Sequence, residues 1–188
     1  CSIPELGDGV VYVQVAAGTY HTVLLRSDGA VVACGWNIAA SRRCGFNDRF
    51  SFVSVAAALG KSVLLRSDGR YFTCGDDWVC ESTTSYDVDG EAPLQVVCSR
   101  NHIVILKSDG SVVGIGRDNA GQCRIPRLDV GDGSFYTQVS AGAERTVLLR
   151  SDGSVVFCGR RWCSHCGVPI LHPGQMYTGV ACGDKHCI

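Results

Sequence analysis

The residues of this sequence that could do chemistry are its twelve cysteines and five histidines, and one group of them has ligand-like spacing. Cys158, Cys163, His165 and Cys166 set a Cys-x-x-Cys around a histidine, which could hold a tetrahedral zinc ion if all four side chains converged. A plainer reading is preferred. Cys158 falls at the same place in a repeating frame as Cys34 and Cys74, and Cys166 aligns with Cys1, so only Cys163 and His165 are additions. The cysteines are therefore expected to be small buried hydrophobes, mostly free thiols, with no metal and no cofactor. Cys34 with Cys44 and Cys158 with Cys166 could meet on neighbouring strands, whereas Cys123 would face Ile115, so no pairing scheme is systematic. Asp87-x-Asp89-Gly90 resembles the start of a calcium loop but lacks the remaining ligands. His21, His102 and His186 hold one frame position, taken elsewhere by Lys61 and Arg145, which suits a strand-end hydrogen bond or a rim cation better than a general base. No Ser/His/Asp or Cys/His set stands apart from the frame, so no catalytic residue is assigned and the chain does not read as an enzyme.

The frame that positions these residues is a hairpin. His21 to Gly35 reads HTVLLRSDGAVVACG, two β-prone runs folded back by Ser27-Asp28-Gly29, whose glycine accepts a positive φ. The turn recurs at Ser67-Asp68-Gly69, Ser108-Asp109-Gly110 and Ser151-Asp152-Gly153, at spacings of 40, 41 and 43 residues. Each hairpin is preceded by a short strand and closed by a glycine, Gly35, Gly75, Gly116 or Gly159. The repeats run over about residues 12–52, 53–93, 94–136 and 137–176, with partial repeats at 1–11 and 177–188. Both faces of the hairpin strands are apolar, as Val23-Leu24-Leu25 and Val147-Leu148-Leu149 show, so each small sheet must be covered on both sides. Stacked sheets of three or four short strands at a period near 41 residues describe an all-β fold, a β-propeller, with a β-solenoid as the runner-up.

Composition narrows the partners. Lys plus Arg number 17 against Asp plus Glu 18, which offers no general attraction to nucleic acid or to an anionic membrane. No apolar run reaches the length of a spanning helix. A protein partner is the class that remains. The compartment is open, with an intracellular one favoured.

At these residues the chain resembles the regulator of chromosome condensation family. The resemblance rests on Val-x-Val-x-Ala-Gly, then His-Thr, Asp-Gly and Cys-Gly in order, and then Gly121-Gln122-Cys123. Unit two departs from it, with Ala58 in place of Gly18 and Lys61 in place of His21. The units are short, as in the bacterial β-lactamase inhibitory propeller proteins. The resemblance implies a propeller of about seven blades acting as an exchange factor for a small GTPase, an ultraviolet-B receptor, or an arm of a HECT-type ubiquitin ligase. The photoreceptor role would need tryptophan at positions held here by Tyr20, Gly60, Asn101, Glu144 and Lys185. Repeats this short leave no room for an exchange factor's protruding insertion.

The expected architecture is thus an open arc of about four blades with partial repeats at both ends, a fragment of a larger propeller. The match of residues 1–23 to 166–188 in the same phase argues against a closed ring of four. The expected function is a non-catalytic scaffold that binds a protein through the loops opposite the Asp-Gly turns. Those loops differ most between units. One set carries Tyr20, Asn101, Glu144 and Lys185, and the other Trp36, Trp78, Arg117, Arg160 and Trp162. Trp, Tyr and Arg dominate binding hot spots. If the tryptophans bind a partner, replacing them by Ala should leave stability nearly unchanged, whereas buried packing residues would cost about 3 to 5 kcal/mol each. The alternatives are a recognition arm of a HECT-type ligase or an exchange factor.

Overall fold

The computed structural model describes residues 3–35, 51–75, 91–128, 133–160, 171–172, 174–183 and 186–188. The predicted hairpins form, and each acquires its preceding strand. Among the described residues twelve strands run β1 (Tyr12–Ala17), β2 (His21–Arg26), β3 (Val31–Gly35), β4 (Phe52–Ala58), β5 (Lys61–Arg66), β6 (Tyr71–Gly75), β7 (Pro93–Cys98), β8 (His102–Lys107), β9 (Val112–Gly116), β10 (Tyr136–Gly142), β11 (Arg145–Arg150) and β12 (Val155–Gly159). They build four three-stranded sheets, each in simple sequence order. The fold is all-β, a stack of small antiparallel sheets of the propeller type.

Local chemistry explains why each hairpin closes where it does. In the first, Gly29 N donates to Arg26 O at 3.0 Å and Arg26 N to Ala30 O at 2.9 Å. Gly29 sits at φ 80°, so Ser27-Asp28-Gly29 is a three-residue loop whose last position needs glycine. Asp28 Oδ1 accepts the Ala30 amide at 3.1 Å while its other oxygen pairs with Arg26. Asp68, Asp109 and Asp152 repeat this, accepting the amides of Arg70, Ser111 and Ser154 at 3.1, 2.9 and 2.8 Å. The aspartates are turn formers, as their spacing implies.

The chain divides into two compact units, Cys1–Val96 and Val97–Ile188. In the first, Val23, Leu25, Val31, Phe52, Val55 and Leu64 form a core between the sheets of β1–β3 and β4–β6. In the second, Val104, Leu106, Tyr136, Val139, Leu148 and Cys158 do the same. A smaller cluster of Val147, Leu149 and Val180 covers the other face of β11. Coverage on both faces is what the unbroken Val-Leu-Leu runs demand. At about 25 cal/mol per Å² of buried apolar surface, each sheet is stabilised by its neighbours rather than by itself.

Two thiol expectations divide. Cys34 and Cys158 are buried free thiols, as expected. Cys74, at the same frame position, is instead engaged in a disulfide, so the reading of that residue as a free buried thiol is corrected. Burial alone does not set a cysteine's redox state; a second sulfur within reach does. Cys123 lies against Gly114, the neighbour of Ile115.

Candidate binding surface and the seam that positions it

Successive repeats within a unit are joined at three levels, and these seams hold the loops in place. At the Asp-Gly end, the turn glycine's carbonyl accepts the amide that opens the next repeat. Phe52 N reaches Gly29 O at 3.0 Å, Tyr136 N reaches Gly110 O at 3.1 Å, and Tyr177 N reaches Gly153 O at 3.4 Å. A Cβ on Gly29, Gly110 or Gly153 would fall 2.4 Å from Ser51, Phe135 or Met176, so this approach also requires glycine.

Half-way along, a polar side chain reaches across. Gln14 Oε1 accepts Val55 N at 2.9 Å, Ser54 Oγ accepts Val96 N at 3.1 Å, and Gln138 Oε1 accepts Val180 N at 2.9 Å. Gln14, Ser54 and Gln138 share one register position, opposite Leu25, Leu65 and Leu149. Sequence reading missed them. Their signal was a polar residue at a fixed place in an otherwise apolar strand.

The third level is the histidine position. His21 Nε2 and Ser62 Oγ are hydrogen-bonded at 2.9 Å, as are His102 Nε2 and Thr146 Oγ1. The strand-end hydrogen bond is thereby the correct half of the expectation for His21 and His102. The rim cation is not, because both rings are buried. Burial lowers the His21 pKa below its ordinary value, with a hydrogen bond to the Lys61 backbone opposing in part. Around His102 the bonds form a chain. Ser99 Oγ lies 2.7 Å from Nδ1, and the Thr146 hydroxyl donates to Gln122 O at 2.8 Å. With the Thr146 proton committed to Gln122, Nε2 of His102 donates to Thr146. Histidine thus stands where the next repeat offers a hydroxyl. At the frame positions of Lys61 and Arg145, the next repeat has Ile103 or Cys187 in place of that hydroxyl residue.

Above this seam lie the predicted binding residues. The loop after the first strand and the loop after the third emerge at the same end of each sheet. Arg117 N donates to Asn101 O at 2.9 Å, and Arg160 N to Glu144 O at 3.0 Å. Gly35, Gly116 and Gly159 permit the contact at φ 121°, 122° and 101°, since a Cβ there would strike the carbonyl of Tyr20, Asn101 or Glu144. In the first unit Tyr20 is 63% exposed. In the second, Arg160 Nη1 donates to Glu144 Oε2 at 2.7 Å, which holds the Glu144 carboxyl below its ordinary pKa. The Arg117 guanidinium faces the Asn119 amide oxygen at 3.1 Å. The structure therefore brings Asn101 next to Arg117 and Glu144 next to Arg160. Trp36, Trp78, Trp162 and Lys185 lie outside the described residues, as do Asp87, Asp89, Cys163, His165 and Cys166. His186 is exposed at the edge of the last hairpin. Among the described residues no group of three or more His, Cys, Asp or Glu could hold a metal ion, and no helix is long and apolar enough to cross a membrane.

The comparisons with known proteins agree with this geometry. The model of the Regulator of chromosome condensation (RCC1) repeat matches residues 12–38 and 94–122, which are the first and third repeats. Those two segments match the regulator of chromosome condensation repeat. Its departures in the second repeat, Ala58 and Lys61, fall in the stretch left between the two matches. No curated protein matches the sequence. Among solved structures, Prp20p from Saccharomyces cerevisiae, described with its binding properties to Gsp1p and histones, is 19% identical with a TM-score of 0.70, covering 96% of this chain and 56% of that one. Human WBSCR16 is 18% identical with a TM-score of 0.71, covering 98% and 58%. The CRINKLY WD40 ectodomain of the Arabidopsis thaliana receptor kinase ACR4 is 22% identical with a TM-score of 0.59, covering 92% and 62%. The chain spans little more than half the length of these structures, and at such identities the likeness is one of fold.

Proposed function

We propose that the chain is a non-catalytic interaction module that binds a protein partner through the loop end opposite its Asp-Gly turns. The observation that supports this most is the division of labour between the two ends. Gly29, Gly110 and Gly153 are buried against the next repeat, and the turn aspartates are spent on their own turns. The other end presents Tyr20, Arg117 and Arg160 to solvent on loops pinned by backbone hydrogen bonds. Rigidly held, exposed aromatic and arginine side chains lose little entropy on binding, which is why they anchor interfaces. Prp20p, whose structure was described with its binding to Gsp1p and histones, is a relative in fold in which protein binding is named. Trp36, Trp78, Trp162, Asn101, Glu144 and Lys185 belong to the same proposed surface. A substrate-recognition arm of a HECT-type ligase would use it in the same way, as would an exchange factor, and neither reading places a catalytic group in these residues.

The test compares the two ends. Tyr20→Ala with Arg117→Glu and Arg160→Glu should abolish capture of the proteins retained by the native chain, while Asp28→Asn with Asp152→Asn should keep it. Thermal unfolding controls for folding. Retained capture by the loop variant, or loss only in the turn variant, overturns the proposal.

A further inference from the structure

The last described hairpin brings two thiols face to face. Ala181 and Ile188 exchange backbone hydrogen bonds at 2.8 Å, and Gly183 N donates to His186 O at 2.8 Å. Cys182 and Cys187, bridged between them, are therefore a non-hydrogen-bonded antiparallel pair. The Cα atoms of such a pair stand about 4.5 Å apart, within the range a disulfide spans. Their Sγ atoms are already 2.7 Å apart, and both residues are half-buried. The corresponding pairs of the first, second and fourth repeats, Ala17 with Thr22, Ala57 with Ser62 and Ala141 with Thr146, carry no sulfur, and in the third Cys98 stands opposite Ile103, so Cys182 with Cys187 is the pair with two sulfurs. Three other described thiols are disfavoured as reactive groups. Cys34 is buried, and burial pushes the Cys158 thiol up to about 11 and raises that of Cys123, which leaves little thiolate at neutral pH.

We propose that Cys182 and Cys187 are a reversible thiol–disulfide site, oxidised by small-molecule disulfides such as oxidised glutathione. One thiolate attacks a sulfur of the small disulfide and releases one small thiol, and the partner thiolate then displaces the second. Two protein S–H bonds are exchanged for one S–S bond, and the two electrons and two protons leave in the two small thiols. The bond staples a hairpin whose Val180 and Cys182 amides are held by Gln138 and Ser140 of the fourth repeat. Oxidation therefore fixes the fifth repeat's first strand against β10.

The native chain is equilibrated in glutathione buffers of rising oxidation, then alkylated and digested after Lys185, with mass spectrometry as the readout. The expected result is that alkylation at Cys182 and Cys187 disappears together. The peptide carrying Cys182 becomes linked to the final His186-Cys187-Ile188 peptide, two hydrogens lighter than the separate pair. This occurs before Cys34 or Cys158 reacts. In Cys187→Ser, Cys182 should instead retain glutathione. Independent glutathione adducts on both cysteines of the native chain, or linkage of either to a different cysteine, overturn the proposal.

Discussion

The two described histidine seams use the same ring for the same purpose and are built differently. In the first unit His21 touches Ser62 through Nε2, and its ring lies over Gly18, where a Cβ would come within 2.3 Å of Cε1. In the second unit His102 has Ser99 in that place, and Ser99 Oγ reaches Nδ1 at 2.7 Å. His21 is at the margin of burial, 9% exposed, and His102 is sealed at 1%. The difference shows that the frame position asks for a ring that spans two repeats, while the residue three before it decides how the other nitrogen is satisfied. Serine supplies a hydroxyl partner and demands one ring placement, whereas glycine supplies none and lets the ring settle closer.

The largest effect should follow removal of the sealed ring. His102→Ala leaves a cavity and strips a partner from Ser99 and Thr146, and should cost about 3 kcal/mol by urea denaturation. A cost near zero would show that the second seam contributes nothing. Transplanting the serine comes next. Gly18→Ser should destabilise by about 2 kcal/mol rather than add a hydrogen bond, because the new Cβ meets His21 before the ring can turn. A stabilised variant would mean that the two seams are interchangeable. His21→Ala should cost about 1 to 2 kcal/mol, less than His102→Ala, since the ring is lost from a less buried place. An equal or larger cost reverses the ranking.

The smallest effect is in pH. Burial lowers the His21 pKa from its ordinary 6.5, so below that value the unfolded chain takes up a proton that the folded ring resists. Stability should be insensitive to this residue above about pH 6.5 and decline as pH falls below it, until the folded ring also titrates. His21→Gln, compared with the native chain in denaturant titrations at pH 7.5 and 5.5, should remove that part of the decline. An unchanged decline would place its origin elsewhere.

The sequence by itself determined the repeating hairpin, because everything needed to make it is local. Asp28, Asp68, Asp109 and Asp152 cap their own turns, glycine supplies the positive φ, and the Val-Leu-Leu runs announce sheets covered on both faces. The separation of Asp-Gly turns from variable loops was equally legible, since it follows from strand direction alone. What only the tertiary structure decided depends on residues some forty positions apart. Whether Gln14 meets an amide, whether His21 finds a hydroxyl and whether two sulfurs face each other are fixed by register between repeats, which no single repeat encodes. Val15 and Val55 make the point with one residue type in one frame position. Val15 is 65% exposed and Val55 is 1% exposed, because a preceding sheet packs on the second and none in the described chain packs on the first. A valine's side chain carries the tendency to be buried, and its neighbours in space decide whether it is.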